Sequence, residues 1–368
     1  MQEQGETELR IRNFYLGGTC LVVALLTGLA SAARADDALD KAAADPNGWA
    51  MYGHGYDNTR YSPLKQITPQ NVGQMKLAHP LQPGSLRSNE SSPIVTGGTM
   101  YASTSWEPEY VYTLDAATGQ RKWTYKPEIP DDVLQYACCD VNSRGVSFAD
   151  GKIFVGRLDG KLAALDAETG KEFWVADVVD YKQGSVITSP PLVVKDLVIT
   201  GFGGGEYSAR GSLQAYNVKT GKQVWKTFTV PGPEDDNIDT WKGDSWNHGG
   251  GAPWLVGSYD PKTNTVFWGV KTNLPFNGGT LTTAGGLTFW DDLHGEFHAY
   301  DAKSYGELWH TQLGSGTGAG PISYSVNGKQ YVAVVVGRTA AIPAFLGEVE
   351  KKMTAATPQG GALFVFTE

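Results

Sequence analysis

Four stretches of the chain share one pattern of apolar and polar positions. In YTLDAATGQRKW, LAALDAETGKEFW, LQAYNVKTGKQVW and FHAYDAKSYGELW, an alternating strand-forming run leads into an Asp or Asn. A short turn follows, and then an outgoing strand ending in Trp. The acidic or amide residue (Asp115, Asp166, Asn217, Asp301) stands eight positions before the Trp (Trp123, Trp174, Trp225, Trp309) in every copy. Each unit reads as a hairpin: the Asx side chain caps its own turn, the Thr-Gly glycine of the first three copies accepts positive φ, and the outgoing strand presents a bulky ring. The first three Trp residues are 51 apart, and the last gap is 84. A further stretch, YDPKTNTVFW, sets Asp260 eight residues before Trp268 without the Thr-Gly, and a chance likeness to the unit stands beside a real one.

A period near 50 residues is that of a propeller or solenoid, in which one sheet cannot bury both of its faces and must stack on the next. The recurring Trp is then a wedge between neighbouring four-stranded blades, a structural role in preference to a cofactor role. The chain beyond residue 35, divided by 51, gives between six and seven units, yet the motif is visible four or five times, so the order breaks between Trp225 and Trp309. Composition agrees with an all-β fold: 46 Gly, 19 Pro, 11 Trp and 17 Tyr suit tight turns and large aromatic contacts. Hydrophobic residues make up 41% and charged residues 19%, enough to bury a large core. With 30 basic against 39 acidic residues, the formal charge of -9 argues against a nucleic-acid partner.

Residues 1–35 read as an export signal: Arg10 and Arg12, the apolar run Leu21 to Leu29, and the small-residue site Ala33-Arg34-Ala35 before Asp36. The run is too short for a bilayer, which needs ~20 apolar residues, so no membrane span is expected after cleavage. Residues 36–368 are then a single domain. Removal of the signal takes Cys20 with it and leaves the adjacent Cys138 and Cys139, in a compartment that permits disulfides. A bond between them closes a strained eight-membered ring, and strain of that kind marks functional sites. Two reduced, buried thiols are the alternative.

The segment WAMYGHGYDNTRYSPLKQI (Trp49 to Ile67), the Trp repeats, the Cys138-Cys139-Asp140 triplet and the GGGAPW run ending at Trp254 together resemble the pyrroloquinoline quinone (PQQ) dependent alcohol dehydrogenases of the methanol and ethanol dehydrogenase type. The likeness runs from about Trp49 to Trp268 and resumes near Asn273. It implies a periplasmic quinoprotein: an eight-bladed propeller with PQQ and a calcium or lanthanide ion on its axis, which oxidises a small alcohol and passes electrons to a soluble cytochrome c. By that resemblance Cys138 and Cys139 form a vicinal disulfide lying on one face of the quinone and Trp254 the aromatic floor on the other. Glu90, Arg144, Thr188, Gly204 and Gly205 fall where the family contacts the cofactor, and Gly203 stands where a hydroxyl-bearing residue is common. Glu206 matches the carboxylate ligand of the metal and Asn273 its amide ligand, oxygen donors suited to a hard cation. Without the surrounding pattern, Glu206 alone reads equally as a solvated loop carboxylate. His248, close to Trp254 in sequence, is a candidate cavity residue.

The family's alcohol oxidation needs an Asp general base within hydrogen-bond reach of the substrate, and the stretch that carries it is not found here. VFWGV passes almost directly into KTNLPFNGGTLTTAGGLTFW, which looks like the family's late blades, so the catalytic residue stays unknown and a deletion joint falls near Val270. Asp291 and Asp292 are poor replacements, because relatives often carry Gly-Asp there. The expected architecture is therefore a β-propeller shortened to about five to six blades, or an incomplete ring with exposed sheet faces. No CxxCH, metal-spaced His pair, P-loop or GxSxG is present. Three readings remain: a dehydrogenase; a non-catalytic propeller that binds PQQ or another protein; and a truncated product that does not fold stably.

Overall fold

The computed structural model describes residues 35–85, 87, 89–104, 106, 108–137, 141–236, 238–269, 280–291, 295–314, 320–337 and 361–368. Residues 1–34 of the expected export segment, Asp292 and the expected joint at Val270 lie outside them. A nine-residue helix, α1 (Ala35–Ala43), is followed by two strands, β1 (Tyr61–Ser62) and β2 (Lys76–Leu81). Among the described residues, everything after β2 is sheet, turn, loop or short 3₁₀ helix.

Blade 1 is β3 (Ile94–Thr96), β4 (Thr99–Ser103), β5 (Val111–Asp115) and β6 (Arg121–Tyr125). Blade 2 is β7 (Ser147–Ala149), β8 (Lys152–Gly156), β9 (Lys161–Asp166) and β10 (Glu172–Asp177). Blade 3 is β11 (Leu192–Val194), β12 (Leu197–Thr200), β13 (Ser212–Asn217) and β14 (Gln223–Phe228). Blade 4 has two described strands, β15 (Ser258–Asp260) and β16 (Thr265–Phe267). Blade 5 is β17 (Leu281–Thr283), β18 (Leu287–Asp291), β19 (Glu296–Asp301) and β20 (Glu307–Gln312), with β1 added in parallel to β17. Blade 6 is β21 (Ile322–Val326), β22 (Lys329–Gly337) and β23 (Gly361–Thr367), completed by β2, which pairs antiparallel to β23.

The repeat forms the hairpin that its residues dictate. Asp115 Oδ1 accepts from the backbone N–H of Ala117 and Thr118 at 3.1 and 2.9 Å, and Asp166, Asn217 and Asp301 cap their turns in the same way. The left-handed position four residues on is Gly119, Gly170 and Gly221 in the first three copies. In the fourth it is Tyr305, whose side chain gives that conformation no relief. The stretch around Asp260 is a real partial unit: its carboxylate accepts from Lys262 N–H and from the Thr263 hydroxyl, and Trp268 packs with Tyr259 and Val266 against blade 3.

The wedge role of the Trp residues holds at the first two interfaces. Trp123 Nε1 donates to Ala167 O of blade 2 at 3.1 Å, and Trp174 Nε1 donates to Val218 O of blade 3 at 3.0 Å. Their rings lie over Gly170 and Gly221, where a Cβ would come within 2.6 Å of ring carbon. Cores of buried side chains join blades 5, 6 and 1, then 1 and 2, 2 and 3, and 3 and 4. Among the described residues no such core joins blade 4 to blade 5, so the sheets form an arc and not a closed ring.

The N-terminal segment spans that gap. Asn47 and Trp49 bond to blades 6 and 1, and the Tyr56 hydroxyl donates to Val193 O of blade 3. Asn58 Nδ2 donates to Gly257 O beside blade 4 at 2.9 Å, and Tyr259 N–H donates to Tyr56 O. β1 then joins blade 5. The turn that makes this possible holds His54, Asn58 and Arg60 at φ of 79°, 52° and 51°, the left-handed region that non-glycine residues enter at a cost.

Candidate functional site

The sequence-predicted cofactor residues sit on the segments that lead into the first strand of successive blades: Glu90 before β3, Arg144 before β7, Thr188 before β11 and Trp254 before β15. Backbone bonds stitch the first three of these segments side by side. Ser92 N–H donates to Arg144 O at 3.0 Å, Arg144 N–H to Thr188 O at 2.8 Å, and Gly203 N–H to Val186 O at 2.8 Å. The topology thereby brings to one end of the arc residues that lie far apart in sequence.

Arg144 is the centre of the group. Its Nη2 lies 2.5 Å from Glu90 Oε2, with both side chains nearly buried. The guanidinium carbon stands 4.6 Å from the centroid of the Trp254 ring, a cation–π distance. Its Nη1 is buried with no hydrogen-bond partner among the described residues, a donor of the kind that an added acceptor would satisfy. Behind Glu90, the hydroxyls of Ser91, Ser103 and Ser143 form a buried chain. Gly145, at φ 131°, lies so close to Ser92 O that a Cβ would approach to 2.7 Å.

The glycines give the wall beside Trp254 its shape. Gly204 is left-handed at φ 117°, and a Cβ there would meet Gly184 O at 2.3 Å, so only glycine fits. At Gly205 a Cβ would stand 3.3 Å from the Cβ of Ala252. Gly203 is different: a Cβ would lie 3.8 Å from the Cβ of Trp254 in ordinary contact, so a serine has room where the hydroxyl is missing. Cys138, Cys139 and Asn273 lie outside the described residues. The backbone of Glu206 is in the 3₁₀ turn Gly205–Tyr207, and its side chain lies outside them as well.

A flat polyanion fits what is described. One face needs an aromatic surface, which Trp254 offers, and its carboxylates need a cation with a free donor, which Arg144 offers. A surface concavity elsewhere, lined by Lys226, Asp235 and Trp241, includes none of these residues.

Sequence reasoning did not single out Arg60, whose half-buried side chain ties the arc together. It donates to Tyr52 O at 2.7 Å, Pro321 O at 2.8 Å and Thr280 O at 3.2 Å, and it reaches Ser92 Oγ at 3.5 Å. The rings of Trp49 and Tyr52 lie 5.4 and 5.3 Å from it. Burial lowers its pKa from the ordinary value, and the nearby carboxylate of Asp291, itself fully buried at the end of β18, works against that shift. The only local signal was the Arg of NTRYS within Trp49 to Ile67. His248 ends a 3₁₀ turn, Ser245–His248, and is exposed.

A model of the glucose/ethanol/alcohol dehydrogenase β-propeller domain, the PQQ family, matches residues 49–275 and 268–332. The lanthanide-dependent methanol dehydrogenase of Methylacidiphilum fumariolicum (strain SolV) is 39% identical over 292 residues, which is 74% of this chain and 47% of that one. The quinohemoprotein alcohol dehydrogenase ADH-IIG of Pseudomonas putida is 38% identical over 285 residues, 74% of this chain and 39% of that one. Against these relatives the chain spans less than half of their length. Among solved structures, a europium-containing methanol dehydrogenase superposes with a TM-score of 0.82 at 25% identity, covering 90% of this chain and 100% of that one. With the Trp repeat, the blades and the Glu90–Arg144–Trp254 constellation in place, the chain belongs to the PQQ-dependent alcohol dehydrogenase β-propeller family.

Proposed function

We propose that this protein is a periplasmic, PQQ-dependent oxidoreductase that takes hydride from a small alcohol, giving an aldehyde or ketone, and yields electrons to a soluble cytochrome c. The observation that carries the reading is the convergence of Glu90, Arg144 and Trp254, with the unsatisfied Arg144 Nη1, at one end of the first strands. When bound, PQQ would supply the hydride acceptor, and a Ca²⁺ or lanthanide ion the Lewis acid beside it. Arg144 would hold the cofactor's anionic edge, Glu90 would fix the guanidinium, and Trp254 would be the floor. Because the guanidinium covers that ring, a planar guest displaces it from the face while keeping its charge alongside. Cys138 and Cys139 would form the opposite lid, Thr188, Gly204 and Gly205 the wall, and Glu206 and Asn273 the metal ligands.

Two matched segments that meet at residues 268–275 support a joint near Val270, where the family's general base would have stood. The base in this chain is unassigned: Asp291, fully buried near Arg60, does not reach a solvent-facing substrate. That favours the second reading, a propeller that binds PQQ without turnover. Titration of the purified chain with PQQ plus Ca²⁺ or La³⁺, followed by dye reduction with a panel of alcohols, separates the two. Binding with alcohol-dependent reduction supports the dehydrogenase, binding without reduction supports the binding module, and absence of binding overturns both.

A further inference from the structure

Blade 5 carries a cluster of side chains of the metal-ligating type, none of which was placed at the cofactor site. His298 of β19 and His310 of β20 are directly cross-strand neighbours. The partner pair Ala299 and Trp309 turns the other way, into the core shared with blade 6, so both histidines lie on the opposite face, the side toward which no described core extends. The bulge between Ala299 and Tyr300 sets Glu307 opposite Tyr300 and brings its carboxylate to the same face. Glu307 Oε1 is 2.5 Å from His310 Nδ1, and Glu307 Oε2 is 3.3 Å from His298 Nδ1. One ligand atom from each of the three side chains lies within 4.8 Å of the others.

His298 is held ready for such a role. It is 7% exposed, and its buried Nδ1 faces the Glu307 carboxylate without the geometry of a hydrogen bond. Trp290 and Tyr300 stack on its ring at 5.7 Å, with interplanar angles of 24° and 30°. Glu296 Oε2 lies 3.8 Å from its Nε2, where a carboxylate orients a ligating imidazole. Two imidazoles and one carboxylate suit a divalent transition ion and not the hard, oxygen-seeking ions of the axial site. Tetrahedral ligands at zinc bond lengths stand about 3.4 Å apart, which small side-chain rotations reach from the present positions.

We propose that His298, Glu307 and His310 form a Zn²⁺ site, with water at the fourth position, that staples β19 to β20 on the blade face that no described core covers. The test uses the full chain after chelator treatment. Calorimetry should show one saturable equivalent of Zn²⁺ that excess Ca²⁺ does not displace. Co²⁺ in its place should give the intense visible bands of a tetrahedral site. Glu307 and His310 are exposed, so Glu307→Gln and His310→Ala leave the fold intact, as circular dichroism will check. Each should weaken Zn²⁺ binding by about 100-fold or more, abolish the Co²⁺ bands, and remove the rise of a few degrees in Tm that Zn²⁺ gives the unaltered protein. Absence of a one-equivalent isotherm, or an isotherm unchanged in both variants, overturns the proposal.

Discussion

Blades 1 to 3 and blades 4 to 5 use the same repeat with different success. At the first two interfaces the motif Trp finds a carbonyl one residue past the next blade's Asx, and a glycine beneath its ring. Trp268 of blade 4 makes no such contact with a following blade: its Nε1 is buried with no partner among the described residues, and the glycine beneath its ring, Gly257, belongs to its own blade. The wedge is therefore a property of two consecutive repeats and not of one. A unit whose successor does not arrive in register keeps the apolar burial and loses the polar half of the interaction.

The largest separation between the two regions should come from removing the rings. Trp174→Ala is expected to cost about 3 kcal/mol, because it empties the blade 2–3 interface and strands Val218 O. Trp268→Ala is expected to cost about half as much, since it also removes a stranded donor. Urea midpoints at constant m-value give both numbers, and equal losses would dissolve the distinction. Phenylalanine sharpens the same contrast: Trp174→Phe should lose about 1 kcal/mol, and Trp268→Phe about nothing. A smaller effect of opposite sign is predicted in blade 5. Tyr305 is 81% exposed and holds a left-handed turn that glycine holds elsewhere, so Tyr305→Gly should stabilise by about 1 kcal/mol or less.

The smallest effect is an acid response that divides the repeats by residue type. Hydrogen bonds from the turn, led by the Thr118 N–H, lower the pKa of Asp115, and the Thr169 hydroxyl leads the same shift at Asp166. A carboxylate whose folded pKa is depressed contributes stability above its unfolded value, near 3.9, and loses it as pH falls through the folded value. Hydrogen-exchange protection at Gly119 and Gly170 should therefore drop below about pH 4. Protection at Gly221, whose turn is capped by the amide of Asn217, should hold. Parallel loss at all three would show that the caps are not what titrates.

The sequence made the blades legible because their determinants are local. An Asx, a glycine and a Trp within a dozen residues specify a turn and a bulge in each of the first three blades, and a hydrogen-bonded wedge at the first two interfaces. YDPKTNTVFW proved a true unit although it lacks the Thr-Gly, since Thr263 alone supplies the hydroxyl that the cap needs. The expectation of an incomplete ring also stands, with the added finding that residues 47–62 cross the open side. That crossing was not legible: Arg60 meets Ser92, Thr280 and Pro321, and no periodicity connects residues so distant in the chain. The grouping of Glu90, Arg144 and Trp254 was legible through family likeness alone, because the three share no spacing rule. The backbone bond between the Glu90 and Arg144 loops, and the reach of Arg144 over the Trp254 ring, make them neighbours.

The pairing of β2 with β23 carries a consequence for how the molecule is made. Lys76 finds its place opposite Thr367, so a strand synthesised early waits for one synthesised at the far side of the chain. Through that interval β2 is an unpaired edge, the form most prone to stick to other chains. Its sequence, KLAHPL, is suited to waiting: Pro80 deletes one donor from the ladder and Lys76 adds a charge, both of which discourage pairing with a stranger. The native partner accepts the same strand by shifting register between Leu77 and His79. Closure of the sixth blade is thus a late and selective event, and nascent molecules are protected from one another until it occurs.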